Sequence, residues 1–373
     1  MERERRRWPA ALVAAALVAA LELLAQVFFG LARDRFAFAN PEQYVLDPAR
    51  IEGLKPHFDA ALGWTHRYPT PHQERPRARD YGRPLLASFG DSYTHCDEVA
   101  DAETWQSYLA EELRADVYNF GVGGYGPDQA LLRFRERARD PATPLVALGL
   151  VLENINRVVN RYRPFYYAET GIPLSKPRFV LEDGALVLLP NPVSRPEELA
   201  RLADPAFVHA IGARDFWYSG AKRPRLGFPY LRVLLSPALW RQAWAGGRAR
   251  RGESDERPAR NLWKDAEARA IFLGVADLFV KEAEAGGARG LLLILPGKPQ
   301  VEARRAGRPI PGLEPVLRHC RERDLACFDG IAALANAGDA VADDFQPGGH
   351  LSPLGNRTLA GALAAWLRER GLG

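Results

Sequence analysis

The sequence predicts an α/β protein with a mostly parallel sheet, preceded by an apolar segment long enough to cross a bilayer. Three observations predict this. The short apolar runs "PLLASF", "DVYNF", "PLVALGLV" and "GLLLIL" alternate with stretches of helical period, which is the pattern of strands joined by crossover helices. The 373 residues are 47% hydrophobic and 26% charged, enough to bury the core of one large or two modest domains and too apolar for a disordered chain. Near the start, "ERERRRW" is followed by an apolar run from Trp8 to Ala32, interrupted only by Glu22 and Gln26.

That run has the length of a membrane span. A glutamate at mid-span costs about 2.5 to 3.5 kcal/mol if scored like aspartate, which the surrounding Leu, Val and Phe must offset. Arg3, Arg5, Arg6 and Arg7 place the basic tip in the cytoplasm and the remainder outside the cytoplasmic membrane. An uncleaved anchor is the preferred reading. A signal cleaved after "GLA" and an amphipathic soluble helix are the alternatives.

The chain divides into the tip and anchor at 1–35, a Pro-rich lead-in or stalk at 36–83, and an α/β domain at 84–373 with an irregular insertion at about 160–261. Within the domain, helices are expected at Ala102–Arg114 and Pro127–Arg139, between the first three apolar runs. The insertion loses periodicity, but "FVLEDGALVLL" carries the Asp-Gly turn of a hairpin. "SRPEELARLA" opens with a Ser194 to Glu197 capping box. The mixed-charge stretch 245–261 reads as a solvated loop. Regular structure resumes with a helix at Leu262–Ala285, the strand "GLLLIL", a helix ending near Arg323 and the strand "ACFD". A last helix has Ser352 at its N-cap and Pro353 at its first position.

The net charge of +4, with basic residues spread among nearly as many acids, gives no nucleic-acid footprint. The histidines lack ligand spacing, so no metal is expected. Cys96, Cys320 and Cys327 are too few for a disulfide framework. Cys320 and Cys327 flank a helix-to-strand turn, where one bridge and two buried thiols are equal alternatives.

Chemistry concentrates at strand ends. "GDSY" breaks the first strand into a turn that holds Ser92 at the sheet's lip, where ligands bind in open α/β sheets. A serine nucleophile needs an imidazole to take its proton and donors for the oxyanion. "NFGVGGYGPDQ" offers glycines whose N–H groups can approach a ligand. "LENIN" offers Asn154 or Asn156, and "DDFQPGGHLSPLGN" offers His350 before the last helix. Gly121 to Gly126 also fits Gly-x-Gly-x-x-Gly. It follows the second strand, runs into Pro127 and has no well-placed acid beyond Glu153, so a dinucleotide is not expected. His95 either lines the pocket or faces solvent. Asp91 is read as organising the turn. Arg161, Tyr162, Arg163 and Tyr166 are read as packing anchors, with a sugar-binding wall as the alternative.

In this order the four segments resemble the blocks of the SGNH hydrolase (GDSL esterase) superfamily. The resemblance implies a flavodoxin-like three-layer sandwich, with Ser92 as nucleophile and His350 as base. It places the oxyanion hole at Ser92 N–H, Gly124 and Asn154, and it implies no cofactor. The family's aspartate three residues before the histidine is here Pro347. Asp344 is favoured as the acid, with Asp343 or a bare Ser-His dyad as alternatives. The implied activity is a serine esterase acting on a small ester or acylated carbohydrate outside the cytoplasm. O-acyl transfer to an exported polysaccharide is the runner-up, and a non-catalytic glycan-binding module is the third reading.

Overall fold

The computed structural model describes residues 10–32, 35–36, 38–137, 141–220, 224–251, 262–338 and 341–373. Its strands in chain order are β1 (Phe58–Asp59), β2 (Gly63–Trp64), β3 (Pro84–Phe89), β4 (Asp116–Asn119), β5 (Leu145–Leu150), β6 (Arg178–Glu182), β7 (Ala185–Leu189), β8 (Arg289–Ile294) and β9 (Ala326–Asp329). The central sheet has the order β4-β3-β5-β8-β9, with every neighbouring pair parallel. The chain starts in the interior of the sheet, steps to one edge, then crosses back and runs to the other edge. This is the flavodoxin-type order, and its switch point lies between β3 and β5.

Two groups of helices pack with this sheet. Trp105–Leu113 packs on the final helix Pro353–Glu369, and Pro127–Arg137 packs on Ala266–Ala285. Phe89 at the end of β3 meets Phe134 and Phe279 of the second pair, while Phe328 of β9 meets Trp366 of the last helix. Leu86, Leu148, Leu150 and Ile294 are fully buried between these layers. The hairpin at 178–189 forms as expected, with Asp183 and Gly184 both at positive φ (51° and 81°), as a two-residue turn of this hand requires. Ser352 caps the last helix by accepting from Gly355 N, with Pro353 behind it. Cys320 and Cys327 are bridged, and Cys96 is free and buried.

Three expectations change. The stretch read as a loop from 245 is helical as far as Arg251, as part of Pro237–Arg251, and 252–261 lie outside the described residues. Ser194 donates its N–H and hydroxyl to Glu198 rather than Glu197. The helix begins at Pro196, which puts Glu198 at the third position that a capping box uses.

The third concerns the domain boundaries. The chain forms two compact units, one from residues 1–48 with 200–260 and the other from 49–199 with 261–373. Most of the lead-in is therefore integral to the α/β unit. Gln129 donates to Leu62 O at 2.7 Å and Tyr125 OH to Trp64 O at 2.5 Å, both across buried contacts. Arg75 donates to the carbonyls of His95, Cys96 and Val99. These bonds satisfy buried backbone groups that a free stalk would leave to water. The insertion splits as well: its first part packs in the α/β unit, where Lys176 pairs with Asp128 in a buried contact, and its second part belongs to the unit of the N-terminal helix.

Candidate active site

β3 ends at Phe89 and the chain turns at Gly90, where any Cβ would lie 2.0 Å from Thr94 Oγ1. Asp91 caps the short helix Ser92–His95 by accepting from Tyr93 N at 2.9 Å. Ser92 is the first residue of that helix, so its own N–H has no intrahelical acceptor. The other oxygen of Asp91 accepts from Asn154 Nδ2 at 3.0 Å and from Arg157 at 3.1 Å. Asp91 is fully buried and spends its lone pairs on the turn, on the asparagine after β5 and on a guanidinium. It thereby ties Ser92 and Asn154, which follow neighbouring strands, into one assembly.

The loop after β4 enters from the other side of β3. Asn119 accepts from Gly121 N and donates to His95 O. Gly121 approaches the Ser92 helix so closely that a Cβ would lie 2.2 Å from His95 N. Gly124 sits at φ +80°, and among the described residues its N–H has no protein acceptor. Two side chains hold this turn by its carbonyls: Trp64 Nε1 donates to Gly123 O at 3.0 Å and Arg163 donates to Gly124 O at 2.9 Å. Because a trans peptide points its C=O and N–H in opposite directions, the Trp64 bond fixes the direction of the Gly124 N–H.

Burial and then the charge of Arg157 push Arg163 down to about 9. Tyr162 is fully buried, Phe165 and Tyr166 nearly so, so the run after β5 serves as a packing anchor.

His350 reaches the same place from the far end of the chain. Phe345 and Leu351 form a bridge that closes its loop. Tyr93 donates to Gly349 O at 3.0 Å, and its ring lies 4.9 Å from the imidazole. The residue after Ser92 thus touches the histidine. Among the described residues the Ser92 hydroxyl makes no hydrogen bond. Contacts of this kind commonly tighten only when substrate binds.

The carboxylate at the imidazole is Glu98, whose Oε1 lies 2.8 Å from His350 Nδ1. Asp344 does not fill this place. Its main-chain carbonyl accepts from Ser352 N, and that of Asp343 from Ser352 Oγ, which ties both acids to the start of the last helix. The Asp344 carboxyl is pushed up by burial and by the charge of Asp343, against Arg305. Glu98 stands at φ +74°, a conformation that a non-glycine residue keeps only where its surroundings over-determine it. Gly348 leaves the room it needs, since a Cβ there would lie 1.9 Å from Glu98 Oε1.

Sequence reasoning missed Glu98 because no motif marks an acid six residues after the serine. It missed Trp64 because a Pro-rich stretch gave no sign of folding back onto the glycine loop.

His95 is buried and held between Tyr68 OH at 2.6 Å and Asp97 at 2.5 Å, with its ring stacked on His66 at 5.0 Å. Burial pushes Asp97 up, but the hydrogen bond from His95 and the charges of His95, His350 and His66 outweigh it and hold the carboxyl below its usual range. Burial and then the charge of His95 lower His66 from 6.5 to about 4. A histidine with a depressed folded pKa binds fewer protons folded than unfolded, so the stability it contributes is full above 6.5 and is lost as pH falls toward 4. The thermal midpoint is expected to drop across that window, and His66→Asn to make the drop smaller. Melting curves of both proteins at stepped pH check this.

No family model matches the chain, and neither does any curated protein. Among solved structures, the chain is similar to a member of the lipolytic protein G-D-S-L family from Veillonella parvula (10% identity, 75% of this chain and 96% of that one, TM-score 0.36). It is also similar to TesA (13%, 77% and 99%, 0.37) and to LAE5, an alpha/beta hydrolase enzyme from the metagenome of Lake Arreo (12%, 77% and 97%, 0.39). Likeness at this level adds nothing to what the sheet order and the residues themselves establish. Those define an α/β sandwich carrying a serine, a histidine and a carboxylate at the switch point of its sheet.

Proposed function

We propose that this chain is a serine esterase of the SGNH type that works through an acyl-enzyme at Ser92. The observation that carries the reading is the His350–Glu98 hydrogen bond, 252 residues apart in the chain, made where Tyr93 joins the serine turn to the histidine loop. Glu98 accepts the hydrogen bond from Nδ1–H, which holds the proton on that nitrogen and leaves Nε2 of His350 unprotonated and able to take the proton from Ser92. Ser92 Oγ attacks the ester carbonyl. The oxyanion is stabilised by Ser92 N–H, Gly124 N–H and the second Nδ2 hydrogen of Asn154, whose first is given to Asp91. Collapse expels the alcohol with the proton from His350, and water then releases the acid. A sugar hydroxyl in place of that water completes acyl transfer through the same intermediate. No step calls on a cofactor.

The N-terminal helix Ala10–Leu31, long and apolar enough to cross a membrane, supports an anchored enzyme, and an ester of an envelope carbohydrate is the substrate class proposed with it. The test is intact-protein mass spectrometry after incubation with a small activated acetyl ester. A mass increment on wild type, absent from Ser92→Ala and His350→Ala, is expected. An unmodified wild-type protein across several acyl lengths would favour the glycan-binding alternative. Acceleration of turnover by added oligosaccharide would assign transfer over hydrolysis.

Trp64→Phe removes the donor on Gly123 O and keeps an aromatic ring. It is expected to lower kcat on the order of 10-fold with KM little changed, short of the 10²- to 10³-fold typical for loss of an oxyanion donor. Steady-state kinetics on one soluble ester checks this split.

A further inference from the structure

The second half of the insertion belongs with the anchor. The N-terminal helix places Glu22 in the middle of an apolar run, and the carboxylate is buried. Its two oxygens accept from the backbone N–H groups of Tyr230 and of Leu231, the latter at 3.0 Å. A second polar tie lies nearby in sequence, where Asn40 both donates to Leu226 O and accepts from Leu226 N. Between them Phe29, Phe36, Val233 and Ala243 form a core, joined by Tyr230, Leu234, Leu239 and Trp240. The Phe36 ring packs on Trp240 at 4.7 Å and on Trp244 at 5.6 Å. Residues 226–244 are therefore fastened to the C-terminal half of the apolar helix, and the fastening includes the one acid within it.

Exposure says what surrounds this assembly. Apart from Leu188 and Leu354, every large apolar side chain exposed among the described residues lies in this unit. Ten are on the N-terminal helix, and the others are Phe228 (83% exposed), Leu235 (78%) and Trp244. In water such a surface would be an aggregation liability. Glu22 stands nine residues before Leu31, about 13 Å along the helix at 1.5 Å per residue, so a segment bonded to it lies at or below the depth at which interfacial helices sit. Backbone groups at that depth must be satisfied within the protein, which is what Glu22 does for Tyr230 and Leu231. Arg232 and Arg241 are exposed on the same segment, and Arg225 directly before it; such side chains bury their aliphatic stems and carry the guanidinium toward the lipid headgroups.

We propose that residues 226–244 are a second membrane-embedded element, seated against the anchor in the leaflet nearer Leu31, with Phe228 and Leu235 in contact with lipid acyl chains. The proposal rests on the reading of the N-terminal helix as a membrane span. The test uses the full chain in vesicles of phosphatidylcholine and phosphatidylglycerol, with and without brominated phosphatidylcholine. Leu24→Cys, Leu235→Cys and Glu111→Cys each carry an environment-sensitive fluorophore. The free thiol Cys96 is buried, with burial pushing it up to about 12, so labelling is confined to the introduced cysteine.

The expected result is a blue-shifted emission at 235 that brominated lipid quenches to about the same fraction as at 24, with no quenching at 111. Quenching at 24 without quenching at 235 overturns the proposal and leaves the anchor in place. No quenching at either position overturns both. Glu22→Ala is expected to reduce quenching at 235 and to leave it unchanged at 24.

Discussion

Ser92→Ala is expected to abolish both covalent modification and turnover, with kcat falling by about 10⁶-fold toward the residual rate given by binding and the oxyanion donors alone. The size follows from the role assigned to Ser92. Its hydroxyl stands at the first position of the helix that follows β3 and makes no hydrogen bond among the described residues, so it is the group placed to form the acyl bond, and water cannot occupy its position with the same alignment. The substitution removes one oxygen from the first position of a helix whose cap is Asp91, so stability is expected to hold. Titration with a fluorophosphonate, followed by ester turnover under saturating substrate, measures the effect. Unchanged melting with lost labelling assigns the loss to chemistry.

Glu98→Gln is expected to lower kcat by about 10⁴-fold, the loss seen when the carboxylate behind a triad histidine becomes an amide. The change is isosteric, so the Gly348 contact and the φ of +74° at this position stay as they are. What changes is the imidazole: an amide presents either a weaker acceptor or an N–H to Nδ1, which favours the wrong tautomer and no longer stabilises the imidazolium. The nucleophile and the oxyanion donors are untouched, so KM is expected to move much less than kcat. Rates measured over a pH series on one soluble ester check this.

The sheet was legible in the sequence because its strands are short apolar runs separated by helices of clear period, whereas the register of β3, β5 and β8 is set by the paired backbones and came from the structure. The positions of Ser92 and Asn154 were legible because each follows such a run at a turn, and that of His350 because it stands in a Gly-containing loop just before the last helix. What could not be read depends on contacts between segments far apart in the chain. Glu98 lies on a left-handed residue whose side chain finds room only because Gly348, 250 positions later, has no Cβ. Asp343 and Asp344 sit nearer to His350 in sequence, yet Ser352 ties their backbone to the last helix. Trp64 is hidden in a Pro-rich segment whose fold is set by hydrogen bonds to the glycine loop rather than by any period of its own. The span 226–244 lacked a partner in the sequence because its apolar residues match the anchor, two hundred positions upstream, and not a neighbouring strand or helix.

The central claim is that a glutamate from the nucleophile's own loop has taken the place of the acid absent at Pro347. Side-by-side turnover of Glu98→Gln and Asp344→Asn on the same ester tests it most directly. A collapse of kcat in the first with near wild-type rates in the second is the predicted result, and the opposite ranking would contradict the account.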